Sequence, residues 1–366
     1  MKIDTLESWL PNYKPGKPLV IAGPCSAESE EQVLKTAHAL KEIQEVSIFR
    51  AGIWKPRTRP NNFEGLGEIA LPWLSKVKKE TRLLVTAEVA TAKHVELCLK
   101  HGIDVLWIGA RTTANPFSVQ EIADVLKGVN IPVMVKNPIN ADLQLWIGAI
   151  ERFSLAGITK LVAIHRGFSV GEKLEFRNDP LWRIPMELKT KYPALPLICD
   201  PSHITGKREL IQQVCQKAMD LDMNGLIIET HPDPDKAWSD ASQQVTPEKL
   251  ATIIHSLKLK KEYSQDKNYT DQLNDLRDQI DRLDNELIHT LKLRKNVVEK
   301  IAQAKLGQDI TALQRNRFDQ LMKERMESGE KLGLDQRFIK EIFSTIHDQS
   351  IEVQTDLFSK NNKKNN

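Results

Sequence analysis

The sequence predicts an α/β chain, a (β/α)8 barrel followed by an all-helical domain, and two observations predict it. Eight short apolar runs each end in a polar or charged cluster. From Thr270 onward glycine and proline almost vanish and the apolar spacing becomes helical. The runs are Leu19–Ala22, Val46–Phe49, Leu83–Thr86, Val105–Ile108, Pro132–Val135, Leu161–Ile164, Leu195–Ile198 and Leu226–Ile228. A parallel strand covered on both faces reads as a continuous apolar run. Eight of them separated by helical stretches such as Glu30–Glu45, Ala92–His101 and Pro247–Lys258 describe a closed barrel. Such a barrel does its chemistry at the C-terminal strand ends, which is where the polar clusters lie.

The chain has 366 residues, more than one typical domain. The expected division is a barrel over 1–258, a polar linker over 259–269, a helical domain over 270–360 and a disordered tail over 361–366. Residues 1–18 read as a lead-in. Net charge is +3, from 52 basic and 49 acidic residues. That balance gives no push toward nucleic acid or an anionic membrane. No run approaches the roughly 20 apolar residues of a membrane span, and the start lacks the apolar core of a signal peptide. The expectation is a cytoplasmic, soluble protein. Cys98, Cys199 and Cys215 lie in apolar contexts and read as buried thiols. Trp54, Trp107 and Trp182 read as packing residues.

Cys25 follows the first strand, His203 the seventh, and Glu229 ends the eighth, with Asp240 in the loop beyond. In a closed barrel the eighth strand neighbours the first, so these side chains converge from three adjacent strand ends. Thiolate, imidazole and carboxylates together suit a divalent first-row metal such as Mn, Fe, Co or Zn. Arg50, Lys55, Arg57, Arg111, Lys136 and Arg166 also fall at or just after strand ends. Six cations at one mouth would repel each other unless anions bind there, and arginine forks grip carboxylate and phosphate. The site therefore calls for substrates with several negative groups.

Gly23-Pro24-Cys25, Lys55-Pro56-Arg57-Thr58, Gly109-Ala110-Arg111, Lys136-Asn137-Pro138, His165-Arg166-Gly167, Asp200-Pro201-Ser202-His203 and Glu229 with Asp240 resemble the 3-deoxy-D-arabino-heptulosonate 7-phosphate (DAHP) synthases. The resemblance covers residues 18–258. It lies nearest the short single-barrel branch related to 3-deoxy-octulosonate 8-phosphate synthase, from which the Pro56-Arg57 pair separates it. It implies condensation of phosphoenolpyruvate with erythrose 4-phosphate, releasing phosphate. By the same resemblance Cys25, His203, Glu229 and Asp240 hold the metal, with Mn the first expectation. Arg50, Lys55, Arg111, Lys136 and Arg166 hold phosphoenolpyruvate, and Arg57 and Thr58 hold the aldose phosphate. The metal polarises the aldehyde, and Lys55 is a candidate for proton relay.

In the helical part, Leu276, Ile280, Leu283, Leu287, Leu291, Val298 and Ile301 recur at helical spacing. A helix from Thr270 to Leu306 would be roughly 50 Å long at ~1.5 Å per residue. It cannot bury its stripe alone and needs a long hairpin or a partner chain. Further helices are expected over Ala312–Glu327 and Asp335–Phe358. Arg294 and Lys305 fall on the stripe, where a charge needs a partner. Leu276-Arg277-Asp278-Gln279-Ile280-Asp281-Arg282-Leu283-Asp284, Leu293-Arg294-Lys295 and Ala304-Lys305 resemble the all-helical chorismate mutases, over about Thr270 to Phe358.

That second resemblance implies rearrangement of chorismate to prephenate in an intertwined homodimer of three-helix domains. Arg277, Arg294, Lys305 and Arg315 would bind the carboxylates and ether oxygen, with Ser350 and Gln354 on the third helix. Arg277 would come from the partner chain. Ala312 and Asn316 stand where the family often has carboxyl residues. Asn316 can hydrogen-bond the ether oxygen without a proton, whereas Ala312 cannot contact a hydroxyl, so a weaker mutase or an altered pH dependence is expected. The combined expectation is a bifunctional, allosteric shikimate-pathway enzyme in which prephenate or chorismate bound to the helical domain inhibits the barrel. Two alternatives compete: an octulosonate synthase with a helical dimerisation module, and a helical domain that senses its ligand without turnover.

Overall fold

The computed structural model describes the chain except for residues 12, 56–62, 170–174, 262, 309 and 365–366, and the side chains of 362–364. Arg57 and Thr58 lie outside the described residues. The strands are β1 (Leu19–Gly23), β2 (Val46–Arg50), β3 (Leu84–Val89), β4 (Val105–Ile108), β5 (Val133–Lys136), β6 (Leu161–His165), β7 (Leu197–Cys199) and β8 (Gly225–Glu229). They pair in parallel in sequence order, and β8 closes onto β1 with Gly23 opposite Glu229. The expected TIM-type barrel is therefore present; seven strands keep within two residues of their apolar runs, and β3 extends three further, to Val89.

The connecting helices are α1 (Glu30–Lys41), α2 (Leu71–Thr81), α3 (Ala92–Lys100), α4 (Ala110–Thr113), α5 (Pro116–Val125), α6 (Leu143–Leu155), α7 (Arg183–Lys191), α8 (Pro201–Thr205), α9 (Ile211–Asp220) and α10 (Pro247–Ser256). Their starts are written locally. Ser29, Thr91, Asn115, Asp142, Asp200 and Thr246 each accept a backbone N–H of the first turn. Proline opens α5, α8 and α10, where its missing N–H costs nothing.

Side chains alternate across a strand, and this decides what fills the barrel. Leu19, Ile21, Ile48, Val105, Trp107, Met134, Val162, Ile164, Ile198 and Ile227 form the inner cluster. The opposite set, including Val20, Phe49, Val85, Leu106, Val133 and Ala163, packs under the helices. Leu6 and Leu10 join the inner cluster, so the lead-in plugs the barrel instead of trailing from it. Asp4 fixes the plug by donating its N–H to Thr159 O (2.9 Å) and accepting from Thr159 Oγ1 (2.7 Å). Cys98, Cys199 and Cys215 are buried free thiols, as expected. Trp107 is fully buried, and Trp54 stacks on His94 at 3.9 Å.

Residues 263–366 form a separate compact unit containing α11 (Lys267–Leu306), α12 (Arg315–Lys331) and α13 (Gln336–Lys364). The 40 residues of α11 extend about 60 Å, and Asp266 caps its start by accepting from Tyr269 N. The second helix starts three residues later than expected. Ala312 O is taken by Lys305 Nζ (2.6 Å), and Gln314 O receives the first helical N–H groups. It also runs on past Gly329, because that glycine lies against Ile339, where a Cβ would meet Cγ1 at 2.5 Å. The third helix continues to Lys364, into the segment expected to lack order; between Gln336 and Lys364 there is no glycine or proline to stop it. Only the C-terminal part of the α11 stripe is covered, with Val298 and Ala302 buried. Leu276, Ile280, Leu283 and Leu287 are 50–63% exposed.

Closure at the β1–β8 seam supplies a test. A Cβ on Gly225 would stand 2.3 Å from the Leu19 carbonyl oxygen, whereas one on Gly148 of α6 meets nothing within 4 Å. Gly225→Ala should lower barrel stability by about 1–3 kcal/mol, as overpacking does. Gly148→Ala should raise it by about 0.5–1 kcal/mol, as helical glycine replacement does. Denaturant unfolding of the full chain reads both, and equal effects at the two positions would contradict the seam geometry.

Candidate active site

Alternation carries charge into the barrel at its C-terminal end. One step beyond the inward apolar residues Ile48, Met134, Ile198 and Ile227 come Arg50, Lys136, Asp200 and Glu229, all buried. They pair across the interior. Arg50 Nη2 lies 3.2 Å from Glu229 Oε1, and Lys136 Nζ lies 2.7 Å from Asp200 Oδ2. Both cations also face Trp107, at 4.9 and 6.0 Å from the ring centre. This corrects the expectation that the strand-end cations repel until an anion binds, because two of them already have buried carboxylates.

Above this layer, one cleft is lined by Lys55, Arg111, Lys136, Arg166 and Arg177, against the carboxylates Glu88 and Asp240. Counting Asp200, which already holds Lys136, five cations face three carboxylates, and a positive excess remains. Burial, with Arg177 and Arg111 nearby, brings Arg166 down to about 10, still charged at neutral pH. Its backbone N–H is held by Asn137 Oδ1 (2.7 Å) and its Nη1 by Asn178 Oδ1 (3.0 Å). Arg50 lies deeper. Its Nε and Nη1 are buried without a hydrogen-bond partner.

The four expected metal ligands stand at the same mouth as two close pairs. Cys25 Sγ is 3.2 Å from Asp240 Oδ2, and His203 Nε2 is 3.8 Å from Glu229 Oε1. Among the described residues, no three His, Cys, Asp or Glu side chains are gathered as tightly as one ion requires. The donor set nonetheless fits a cation. His203 turns Nδ1 to Asp200 (2.8 Å to Oδ2), which puts the ring hydrogen there and aims the Nε2 lone pair at Glu229. Glu229 Oε1 faces both Arg50 Nη2 (3.2 Å) and His203 Nε2 (3.8 Å), so a carboxylate oxygen and an imidazole acceptor face each other across one gap.

Lys55 Nζ sits 2.7 Å from Cys25 Sγ and 2.9 Å from Cys25 O. Burial pushes the Cys25 thiol up to about 12, with Glu229 adding to it and Lys55 opposing. Burial also raises Asp200 and Glu229. Lys136 and Arg50, with the hydrogen bond from His203, outweigh it for Asp200, Arg50 with Lys55 for Glu229, and both carboxyls lie below their ordinary range.

Sequence reasoning placed Glu88 and Asp200 at strand ends but gave neither a role; Glu88 accepts from Trp107 Nε1 (3.2 Å). It missed Arg177, whose Nη1 reaches Asp240 Oδ1 (2.9 Å) and Gln243 Oε1 (2.7 Å). The inward position of the first two could have been found from strand alternation: Glu88 stands two residues after Thr86, and Asp200 two after Ile198.

In the helical unit Arg294 Nη1 donates to Ser350 Oγ, and Ser350 and Gln354 are both buried. Gln354 Oε1 lacks a donor. A cleft of about 360 Å³ opens beside Arg294 between α11 and α13. Lys305 is half-buried one turn beyond Ala302, and Arg315 and Asn316 are exposed at the start of α12. Arg277 is not brought to this group. It is exposed on α11 and contacts Asn274, about 25 Å along the helix from Arg294.

A closed barrel with a charged strand-end layer, joined to a separate three-helix unit, defines a two-domain barrel enzyme. Residues 14–266 match the DAHP synthetase I family and residues 276–355 match chorismate mutase type II. Phospho-2-dehydro-3-deoxyheptonate aldolase of Thermotoga maritima is 31% identical over 239 residues, 65% of this chain and 68% of that protein. 2-Dehydro-3-deoxyphosphooctonate aldolase of Legionella pneumophila is 30% identical over 275 residues, 68% of this chain and 96% of that protein. The crystal structure of the Thermotoga maritima DAHP synthase superposes with a TM-score of 0.61 at 30% identity, covering 67% of this chain and 70% of that one. The chain belongs to the DAHP synthetase I family, and its fused chorismate mutase module makes it a bifunctional enzyme of aromatic biosynthesis. No helix among the described residues is long and apolar enough to cross a membrane.

The pairing inside the barrel generates an expectation. Asp200→Asn leaves Lys136 buried beside a neutral amide and removes the charge that orients His203. Breaking one side of a buried pair costs about 3–5 kcal/mol. Denaturant unfolding of the full chain should show a loss of that size, and a loss under about 1 kcal/mol would contradict the pairing.

Proposed function

We propose that the barrel condenses phosphoenolpyruvate with erythrose 4-phosphate, and that the helical unit rearranges chorismate to prephenate and reports its occupancy to the barrel. The observation that carries the barrel half is the cation-rich cleft of Lys55, Arg111, Lys136, Arg166 and Arg177. It suits a substrate bearing both carboxylate and phosphate. Arg111, Lys136 and Arg166 hold phosphoenolpyruvate, with Lys55 beside them and the two unpartnered donors of Arg50 beneath. Fixed in place, these groups orient the enol carbon toward the aldehyde and stabilise the departing phosphate. Arg57 and Thr58 are assigned to the aldose phosphate on the family resemblance alone.

Cys25, His203, Glu229 and Asp240 would hold a divalent ion, with Mn first and Fe, Co or Zn as alternatives. The approach of Glu229 Oε1 to the Nε2 of the Asp200-oriented His203, at 3.8 Å, supports that assignment. When bound, the ion supplies Lewis-acid polarisation of the aldehyde. Lys55, within reach of Cys25 and lining the cleft, would supply the proton that the aldehyde oxygen gains when its carbon is attacked.

The rearrangement is unimolecular, so positioning and charge suffice. Arg294, Lys305, Arg315, Asn316, Ser350 and Gln354 come from one copy, and Arg277 from a second. The exposed stripe of Leu276, Ile280, Leu283 and Leu287 supports a homodimer through the helical unit, since an apolar face this long calls for a cover.

Lys305→Ala tests both the turnover and the coupling. Chorismate consumption should fall roughly 10²–10³-fold, as when a preorganised charge is lost. Phosphate release from phosphoenolpyruvate should persist and should no longer respond to prephenate. Unchanged chorismate turnover would make Lys305 structural, and undiminished prephenate inhibition would move the sensor elsewhere.

A further inference from the structure

Successive cross-links join the loop after β1 to the loop after β8. Cys25 Sγ lies 3.2 Å from Asp240 Oδ2, Ser26 Oγ lies 2.6 Å from Ser239 Oγ, and Glu28 Oε1 accepts from Trp238 N at 2.8 Å. Numbers rise on one segment as they fall on the other, so the two run antiparallel as a short zipper of side-chain contacts. Its far end lies against His231. Glu28 Oε2 lies 3.4 Å from His231 Nε2. His231 Nδ1 accepts from Asp233 N (3.0 Å), which leaves the ring hydrogen on Nε2, facing Glu28. The near end is braced by Gln244, which accepts from Cys25 N (3.0 Å) and donates to Ser239 O (2.8 Å).

Ser26, Glu28, His231, Ser239 and Gln244 are all buried, and none lines the substrate cleft. Asp240 itself stands at φ 48°, ψ 40°, a left-handed state that a non-glycine residue holds only when its surroundings impose it. Arg177 takes its Oδ1, and the zipper turns its Oδ2 toward Cys25.

We propose that Ser26, Glu28 and Ser239 are positioning residues that hold Asp240 against Cys25, so that half of the cation site is built before the ion arrives. The proposal rests on the metal reading above. Buried hydrogen-bonded partners of metal ligands typically hold 10–100-fold in metal affinity, because the ligands then need no reordering on binding.

The test is Mn²⁺ affinity of the chelator-stripped full chain, followed by the free-ion electron paramagnetic resonance signal. Melting temperature of each stripped variant serves as the folding control. Wild type should bind one Mn²⁺ in the barrel, and Cys25→Ala should lose it. Ser239→Ala and Glu28→Ala should weaken binding roughly 10–100-fold, with melting little changed. Ser239→Thr keeps the hydroxyl and should stay near wild type. If Glu28→Ala fails to fold, Ser239→Ala, which removes one hydroxyl, decides alone. Binding lost in Cys25→Ala but within about twofold of wild type in Ser239→Ala and Glu28→Ala overturns the positioning role and leaves the metal reading standing. Wild-type affinity in Cys25→Ala overturns the metal reading and the proposal with it.

Discussion

Charge buried at the C-terminal end of the barrel is the constraint on which the site depends. Alternation along the strands sends Arg50, Lys136, Asp200 and Glu229 inward, where water cannot solvate them. The interior accepts them as pairs, Arg50 with Glu229 and Lys136 with Asp200. Each pair joins strands that are not neighbours in the barrel wall, so one contact balances charge and braces the interior at once. The same contacts aim the functional groups. Asp200 turns His203, and Glu229 holds Oε1 toward both Arg50 Nη2 and His203 Nε2. Removing a partner would therefore cost more than the net value of its pair, because the survivor stays buried and charged.

The helical unit meets the opposite constraint. Its buried residues are few, among them Val298, Ala302, Met322 and Ile339, while much of the α11 stripe remains exposed. Arg294 and Lys305 lie where the covered part of that stripe begins and ends. They are half-buried, which strengthens their attraction for an anion compared with a fully solvated cation. Each finds an internal acceptor, Ser350 Oγ for Arg294 and Ala312 O for Lys305. These contacts keep both cations fixed on the inner side of the helices.

Much of the barrel was legible because parallel strands buried on both faces leave unmistakable apolar runs, and because Cys25, His203 and Glu229 sit directly after them. The limits have physical causes. The inward placement of Glu88 and Asp200 was readable only by carrying the period of two past the apolar run to the next inward position. Arg177 comes from an irregular loop with no period to follow. The Ser26–Ser239 and Glu28–Trp238 contacts join residues more than two hundred positions apart, which no local pattern encodes. In the helices, spacing placed Leu276 to Ile301 on one face but could not say which part the chain itself covers. The coverage begins at Val298 and shifts to Ala302. The late start of α12 reflects the capture of Ala312 O by Lys305, a tertiary contact.

On this reading the charged mouth condenses phosphoenolpyruvate with a four-carbon aldose phosphate. Phosphate release by the full chain, measured with erythrose 4-phosphate or arabinose 5-phosphate and with or without chelator, tests it most directly. The account predicts rapid release with erythrose 4-phosphate, little with arabinose 5-phosphate, and loss of release on chelation that Mn²⁺ restores. Preference for arabinose 5-phosphate, or full activity after exhaustive chelation with no metal detected by elemental analysis, would contradict it.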